Sequence, residues 1–213
     1  TNTFEDESIA GAYARQLPRK NAKPLETMWR EFAYKEKAFA NNINSVEKNG
    51  INALMFSTGC CAIRKDIFNK IGGFPERIIR NEDMLFSWKV LNAGYKTKYL
   101  PTAIVRHSHY YSLKHHFQQF FDIGVFFANY PEILEKSGNT GEGIGRVGKG
   151  IKYLIRKGYL YLIPMLFIES GVKFISYTLG KNFDKLPKSW QRAFSKNKKY
   201  WDSNAKLKNQ NSK

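Results

Sequence analysis

Strand-like and helix-like patterns alternate along the first 128 residues, and this alternation is the feature that most constrains the fold. The stretch Ile9–Leu17 has small and β-favouring residues and stops before Pro18, as a strand would. Apolar residues then recur at helical spacing in Pro24–Ala40, Glu82–Ala93 and Ser112–Ala128. Strands that alternate with helices predict an α/β fold.

Turn signals divide the region between these elements. The stretch ALMFSTGCCAIRKDIF predicts a short buried strand, a tight turn at Ser57, Thr58 and Gly59, a second short strand and a helix from about Lys65. A Gly-Gly-Phe-Pro sequence closes that helix, and Gly94 ends the helix over Glu82–Ala93. The stretch YKTKYLPTAIVRHSH then predicts two strands separated by a step at the proline.

The second part of the chain has a different character. Residues 136–150 are rich in glycine and predict a linker, and residues 151–213 predict a helical, basic extension. The uninterrupted apolar stretch Tyr159–Ile168 is too short to cross a bilayer, which needs roughly 20 residues. An apolar helix followed by many lysines suits an anionic membrane surface. A helical pair packed on the core and a dimer interface are the alternatives.

The charge is strongly basic, with 35 Lys and Arg against 18 Asp and Glu, for a net charge of +17. Such a balance indicates an anionic partner, which could be lipid, nucleic acid or a phosphorylated substrate. We find no nucleic-acid-binding motif and expect no nucleic-acid partner. The two cysteines, Cys60 and Cys61, are adjacent, which gives neither a good disulfide pair nor a metal spacing and indicates a reducing compartment.

Adjacent carboxylates at Glu82 and Asp83 form the first candidate site, with Asn81 as the predicted N-cap of their helix. Acidic residues in a first helical turn also stabilise the helix dipole, which needs no catalytic role. A carboxylate at such a helix start can act as general base if it lies within hydrogen-bond reach of a hydroxyl. Arg77 and Arg80 would favour its ionised form or meet a diphosphate.

Two histidines form the second candidate site. His107 and His109 lie two residues apart on an extended segment, so their side chains point the same way and could contribute to a metal site. They could equally be polar residues at a strand end. A metal hydrolase built on these histidines is a further alternative, but it would need a third well-spaced ligand. The Ser-Thr-Gly turn, with Arg64 beyond it, is a third candidate, because such a turn exposes its backbone to a ligand.

The order of these signals resembles a known family. The stretches YARQLPRKNAKPLE, FSTGCCAIRKDIFNKIGGFPE, NEDMLFSWKVLNAGYKTKYLPTAIVRHSHYYSL and FFDIGVF follow one another as in the family-2 glycosyltransferases of GT-A fold. The resemblance is greatest to their rhamnosyltransferase-like bacterial branch, and it covers about Ala10 to Ala128. The fold that it implies is the acceptor-side part of a GT-A-type mixed sheet flanked by helices, followed by the helical extension.

The resemblance also implies roles for the candidate residues. Asp83 would be the base that activates the acceptor, with Glu82 supporting it. His107 is the first candidate to complete the metal site, and His109 is the second. The Ser-Thr-Gly turn and Arg64 would lie near the acceptor or the donor diphosphate.

The chain departs from the family pattern in one respect. The family's nucleotide-binding half carries an Asp-x-Asp motif that holds Mg²⁺ or Mn²⁺ against the donor diphosphate, and this sequence, which starts at Thr1, has no Asp-x-Asp. We therefore expect residues 1–135 to be the acceptor-side part of a longer enzyme, with metal binding largely dependent on the other half. On this expectation the chain by itself binds the nucleotide-sugar poorly, which leaves open whether it has activity.

The expected function is transfer of a sugar, most readily rhamnose, from a nucleotide-diphosphate donor to a lipid-linked or polysaccharide acceptor, with inversion. We expect an enzyme of cell-envelope polysaccharide synthesis on the cytoplasmic face of the membrane, with a homodimer as one arrangement. The alternative is a non-catalytic, basic module that binds a membrane or nucleic acid, in which Glu82 and Asp83 only stabilise a helix start.

Overall fold

The computed structural model describes residues 2–108, 111–138 and 142–202. Four strands are assigned in this part of the chain: β1 (Ile9–Leu17), β2 (Phe39–Asn41), β3 (Cys61–Ile63) and β4 (Lys96–Arg106). The α-helices there are α1 (Pro24–Ala33), α2 (Ile43–Asn49), α3 (Lys65–Lys70), α4 (Glu82–Asn92), α5 (Leu113–Asn129), α6 (Pro131–Ser137), α7 (Glu142–Arg156), α8 (Ile163–Lys181) and α9 (Lys188–Phe194). Short 3₁₀ turns cover Asn2–Phe4, Gly50–Leu54, Leu160–Leu162 and Phe183–Lys185.

The four strands form one mixed sheet in the order β2-β4-β1-β3. The two long strands, β1 and β4, pair in parallel, whereas β3 and β2 pair antiparallel on the two sides. Helix α1 packs against β1 and α4 packs against β4. The predicted α/β class, the mixed sheet flanked by helices and the helical C-terminal part are thus confirmed.

Aromatic side chains fill the core beside the two central strands. Tyr13 of β1 lies 5.2 Å from Tyr99 of β4 and 5.3 Å from Phe56, measured between ring centroids. Phe86 of α4 continues the cluster at 5.1 Å from Phe56. A Cβ at Gly11 would lie 3.1 Å from the Phe56 ring, so a side chain at this strand position would require the ring to shift by a few tenths of an ångström. The cluster fixes α4 against the sheet.

Helix α4 ends as its sequence predicts. Gly94 has a φ of 85°, and its N–H donates to the carbonyl of Leu91 while the Tyr95 N–H donates to that of Val90. This pair of bonds is the Schellman arrangement, in which glycine supplies the left-handed residue. At the other end, Asn81 has a φ of 61°, so it does not have the extended backbone expected of an N-cap. Asn tolerates this region better than most residues.

Three elements differ from their predictions. No strand forms at the start of ALMFSTGCC, because Ala53 and Leu54 end the 3₁₀ turn Gly50–Leu54 and Met55 and Phe56 have no regular structure. Helix α1 ends at Ala33 rather than Ala40. The two strands predicted on either side of Pro101 form the single strand β4. Its pairing with β1 is irregular at this proline, because Ala14 pairs with Leu100 whereas Arg15 pairs with Ile104. A proline is tolerated at such an irregularity because no ladder hydrogen bond is required there.

Residues 142–150, predicted as part of a linker, belong to helix α7. From Val147 on, the less exposed residues recur at helical spacing, at Gly150, Ile151 and Leu154. Tyr153 of the same helix packs edge-on against Phe32 of α1, at 5.8 Å between ring centroids. The packed face compensates for the roughly 1 kcal/mol that each helical glycine costs.

The chain divides into two compact units. The first comprises residues 1–75, 82–110 and 132–163 and contains the sheet. The second comprises residues 76–81, 111–131 and 164–213 and is built on α5, most of α8 and α9. The units do not follow the predicted boundaries at 135 and 150, because α6 and α7 belong almost wholly to the first unit while α5 belongs to the second.

Helices α5 and α8 approach each other closely in the second unit. A Cβ at Gly180 would overlap the backbone carbonyl of Phe121, and a Cβ at Gly124 would overlap the backbone carbonyl of Tyr177. The two glycines therefore set the distance between the helices, since backbone atoms cannot move aside as side chains can.

A buried carboxyl holds the segment after α9. Asp122 of α5 is 1% exposed, and the backbone N–H of Lys196 donates to its Oδ2 at 3.0 Å. Burial raises the pKa of Asp122 to about 6, while hydrogen bonds from residues 195–197 and the charge of Arg80 act in the opposite direction. The carboxyl therefore stays protonated to higher pH in the folded chain than an exposed aspartate does.

The glycine contact predicts that Gly180→Ala lowers the free energy of unfolding by about 1–3 kcal/mol, because the added methyl group must displace backbone of α5. Gly171→Ala is the matched control on the exposed side of α8, where a Cβ would meet nothing within 4 Å. This control should stabilise the protein by up to about 1 kcal/mol through helix propensity. Urea unfolding measures both, and equal stabilisation by the two substitutions would contradict the close approach.

The buried carboxyl predicts a pH dependence. Because the pKa of Asp122 is higher in the folded chain than its ordinary 3.8, its contribution to stability is complete below that value and is lost as the pH rises to about 6. The loss should amount to roughly 2–3 kcal/mol. Asp122→Asn should remove this dependence and be the more stable form at neutral pH. Identical pH profiles of unfolding for the parent and the variant would contradict it.

Candidate active site

The carboxyl ends of β1 and β4 meet at one edge of the sheet because these strands run in parallel. Beyond β4, the backbone N–H of His107 still donates to the carbonyl of Leu17 at 2.9 Å. The antiparallel strand β3 starts at the same edge, with Cys61 opposite Tyr13, and the Ala14 N–H donates to the carbonyl of Cys60 at 3.0 Å. The Ser-Thr-Gly turn before Cys60 therefore lies where α/β folds commonly bind ligands.

Asp83 lies in the first turn of α4, on the same unit as this edge. It is half-buried, and the Met84 N–H donates to its Oδ1 at 2.8 Å. The pKa of the Cys61 thiol is raised by burial first, then by Cys60 and by the charge of Asp83. The Asp83 carboxylate is thus within electrostatic reach of the strand that follows the turn.

Tyr34 connects Asp83 with the turn. The pKa of its hydroxyl is raised mainly by burial, is lowered by a hydrogen bond with Ser57 and by the charge of Arg30, and is raised again by Asp83. Tyr34 and Ser57 are both largely buried. Sequence reasoning placed Asp83 and Ser57 in one site, and the structure brings both to the surroundings of Tyr34.

A buried chain of hydrogen bonds supports the turn. The guanidinium of Arg30 donates to Oε1 of Gln16, and Nε2 of Gln16 donates to Oγ of Ser57. Gly59 leaves room for this chain, since a Cβ there would lie 2.9 Å from Nε2 of Gln16. The chain fixes Ser57 while Thr58 and Gly59 stay exposed. Such support fixes the turn with little freedom to reorganise.

The sequence analysis missed Gln16, Arg30 and Tyr34. Gln16 is buried near the end of β1, at a position where an apolar residue is usual. A polar residue inside a strand of otherwise small and apolar residues is the signal that could have identified it. Arg30 and Tyr34 carry no comparable signal, because charged and aromatic residues are ordinary at the end of a surface helix.

Chemically, the first-unit residues offer a carboxylate beside polar groups on rigid elements. Asp83 can accept a proton from a hydroxyl bound against the turn, because a carboxylate within hydrogen-bond reach of a hydroxyl can act as a general base. Glu82 is half-buried in the same helical turn. The turn over 57–59 was predicted to lie near Asp83. The structure adds Tyr34, which interacts with both.

The predicted metal ligands are only partly described. His107 is half-buried at the carboxyl end of β4, and His109 lies outside the described residues. Within residues 2–108, 111–138 and 142–202, no group of three or more His, Cys, Asp and Glu side chains could hold a metal ion. The described residues therefore do not complete a metal site by themselves.

Arg64 lies at the other end of β1 from Ser57. Its Nε donates to the carbonyl of Ile9 at 3.1 Å, its Nη2 donates to the carbonyl of Phe4, and its guanidinium lies 5.5 Å from the Phe4 ring. These contacts hold the N-terminal segment on the sheet. They give Arg64 a structural role and do not support the predicted contact with a diphosphate.

Arg77 and Arg80 belong to the second unit and are described with it. Arg77 lines a cavity of about 180 Å³ together with Asn129, Tyr130 and Tyr200. The positive charge of Arg80 lowers the pKa of Asp122, but burial raises that pKa by more. Their predicted contacts with substrate remain predictions.

Comparisons with known proteins add an independent finding. Over 201 residues, or 94% of the chain, the sequence is 39% identical to the O-antigen chain rhamnosyltransferase RfbN of Salmonella typhimurium. It is 37% identical over the same length to the O-antigen chain rhamnosyltransferase WbaN of Salmonella anatum. The chain spans 64% of the length of each of these relatives. Family models gave no match, and solved structures gave no significant match. Nearly the whole chain is therefore similar to part of two proteins named as O-antigen chain rhamnosyltransferases.

Proposed function

We propose that the chain is the acceptor-side part of a glycosyltransferase that moves rhamnose from a nucleotide-diphosphate donor to a growing glycan, with inversion at the anomeric carbon. The observation that carries this proposal is the similarity of 94% of the chain to proteins named as O-antigen chain rhamnosyltransferases. The acceptor would be a polysaccharide or a lipid-linked glycan. The GT-A architecture belongs to the same proposal and is compatible with the mixed sheet.

Asp83 is the residue that we assign as general base. Its position supports the assignment: it is half-buried at a helix start and acts electrostatically on Tyr34 and Cys61, which border the Ser-Thr-Gly turn. A carboxylate held in this way can take the proton of a hydroxyl at hydrogen-bond distance. Glu82 would support the charge of the site from the same turn.

The proposed step is a single displacement. The acceptor O–H bond breaks, its proton passes to Asp83, and the acceptor oxygen forms a bond to the anomeric carbon of rhamnose. The bond from that carbon to the diphosphate oxygen breaks at the same time, and its electron pair leaves with the nucleoside diphosphate. Attack on the side opposite the leaving group inverts the anomeric carbon. The turn over 57–59 and Tyr34 would orient the acceptor hydroxyl.

Binding of the donor is proposed to need more than the described residues. The chain spans 64% of each relative, and its described residues bring no three metal ligands together. Mg²⁺ or Mn²⁺ would neutralise the charge of the departing diphosphate when bound. His107 is the described residue that we propose as one of its ligands, and His109 remains a second candidate outside the described part.

The assignment of Asp83 predicts that Asp83→Asn lowers turnover by about 10²–10⁴-fold in the intact protein, because the amide cannot take the acceptor proton. Transfer of rhamnose from its nucleotide-diphosphate donor to a lipid-linked acceptor measures this. Asp66→Asn is the matched control, since Asp66 is an exposed carboxylate in the first turn of α3. Unchanged turnover in Asp83→Asn would contradict the assignment. It would favour the alternative in which Glu82 and Asp83 only stabilise the start of a helix.

The donor proposal predicts weak binding of the nucleotide-sugar to the 213-residue chain, with little effect of Mg²⁺ or Mn²⁺. Isothermal titration calorimetry with dTDP-rhamnose measures the affinity with and without each metal. Tight, metal-dependent binding to this chain would contradict the proposal. It would show that the chain holds a complete donor site.

A further inference from the structure

Helix α8 turns its most apolar side outward. Four large side chains on this side, which we name the outer face, are at least half exposed: Phe167 (54%), Ile168 (50%), Phe174 (72%) and Ile175 (56%). The two adjacent pairs lie seven residues apart, which is about two helical turns, so all four side chains lie on one side of the helix. The outer face therefore gathers four large apolar side chains on one side of the helix, with the exposed Gly171 between the two pairs.

The opposite side of α8 packs on α5 and buries Leu166 together with charged, hydroxyl and small residues. Glu169 is 8% exposed, and its Oε2 lies 3.4 Å from Nζ of Lys173 and 3.9 Å from Nε2 of His116 on α5. Ser176 is fully buried, and its hydroxyl donates to the carbonyl of Val172 at 2.7 Å. The glycine contact between α5 and α8 lies on the same side. Charged, hydroxyl and small residues thus face the helix pair.

A helix in water usually buries its apolar side and exposes its polar side, whereas α8 exposes four large apolar side chains and buries Glu169 and Ser176. Exposed apolar strips of this kind mark binding surfaces. Lipid-facing helices show the same order, with apolar residues outside and small or polar residues between the helices. The segment Leu160–Lys181 is also the one described helix that is long and apolar enough to cross a membrane. The sequence analysis judged this segment too short to cross a membrane because it counted only the uninterrupted apolar run. Glu169 and Lys173 interrupt that run, but their side chains are largely buried.

Basic side chains follow the outer face along the chain. Lys181 ends α8, and Lys185 and Lys188 come next; all three are exposed. Each lysine near an anionic bilayer contributes about 1 kcal/mol to binding. A second copy of the chain would bring a further net charge of +17 toward this one, which disfavours self-association by comparison with an anionic surface.

We propose that the outer face of α8 docks on the surface of an anionic lipid bilayer, with Phe167 and Phe174 entering the acyl boundary and the lysines after α8 at the headgroups. This inference goes beyond the proposed transferase activity and does not depend on it. It would bring the protein to the surface that holds a lipid-linked acceptor.

The test is flotation of the purified protein with vesicles of phosphatidylcholine alone or mixed equally with phosphatidylglycerol. The parent should float with the anionic vesicles, and Phe174→Ser should bind them at least about tenfold less, because it removes a large apolar side chain from the contact. Ile104→Ser is the matched control, since Ile104 is 56% exposed on β4 of the first unit and is no part of the outer face. This control should bind as the parent does.

Three outcomes would overturn the proposal. The first is that the parent fails to float with anionic vesicles, and the second is that it floats equally with neutral ones. The third is that Phe174→Ser floats as well as the parent. Sedimentation of the same proteins identifies the competing occupant: a parent dimer that Phe174→Ser converts to monomer, without vesicle binding, assigns the face to a second copy. Asp83→Asn should bind vesicles as the parent does, which separates this result from the fate of the transferase proposal.

Discussion

The parallel pairing of β1 with β4 is the constraint on which the candidate site depends. It brings the carboxyl ends of both strands to one edge, and the antiparallel β3 adds the Ser-Thr-Gly turn there. The aromatic cluster of Tyr13, Tyr99 and Phe86 then fixes α4 on the sheet. The first turn of that helix carries Asp83. A sequence change that breaks the parallel pair would therefore separate the turn from its supporting residues.

Local signals predicted the elements that depend on local chemistry. The bounds of β1, the start of α4 and the glycine after it follow from propensity, charge and the need for a left-handed residue at Gly94. The proposal that Asp83 is a site residue came from its place in a first helical turn and from resemblance to a family, and it stays a prediction. Such features need no knowledge of which elements meet.

Features that depend on distant contacts were not predicted. The hydrogen-bonded chain from Arg30 through Gln16 to Ser57 joins residues from α1, β1 and the turn, so no short stretch of sequence contains its signal. The helix over 142–150 forms because Tyr153 and its neighbours have a packing face, which glycine content alone does not reveal. The inward side of α8 was likewise hidden, because the partner of Glu169 on α5 is His116, far away in sequence.

The most direct test of the account is a crystal structure of the intact protein with an acceptor glycan bound. The central claim is that the Asp83 carboxylate is presented to a sugar hydroxyl at the edge formed by β1, β3 and β4. The account predicts an Asp83 oxygen at about 2.6–3.2 Å from the hydroxyl that receives rhamnose, with the Ser-Thr-Gly turn beside it. An acceptor bound with its reactive hydroxyl away from Asp83 would contradict it.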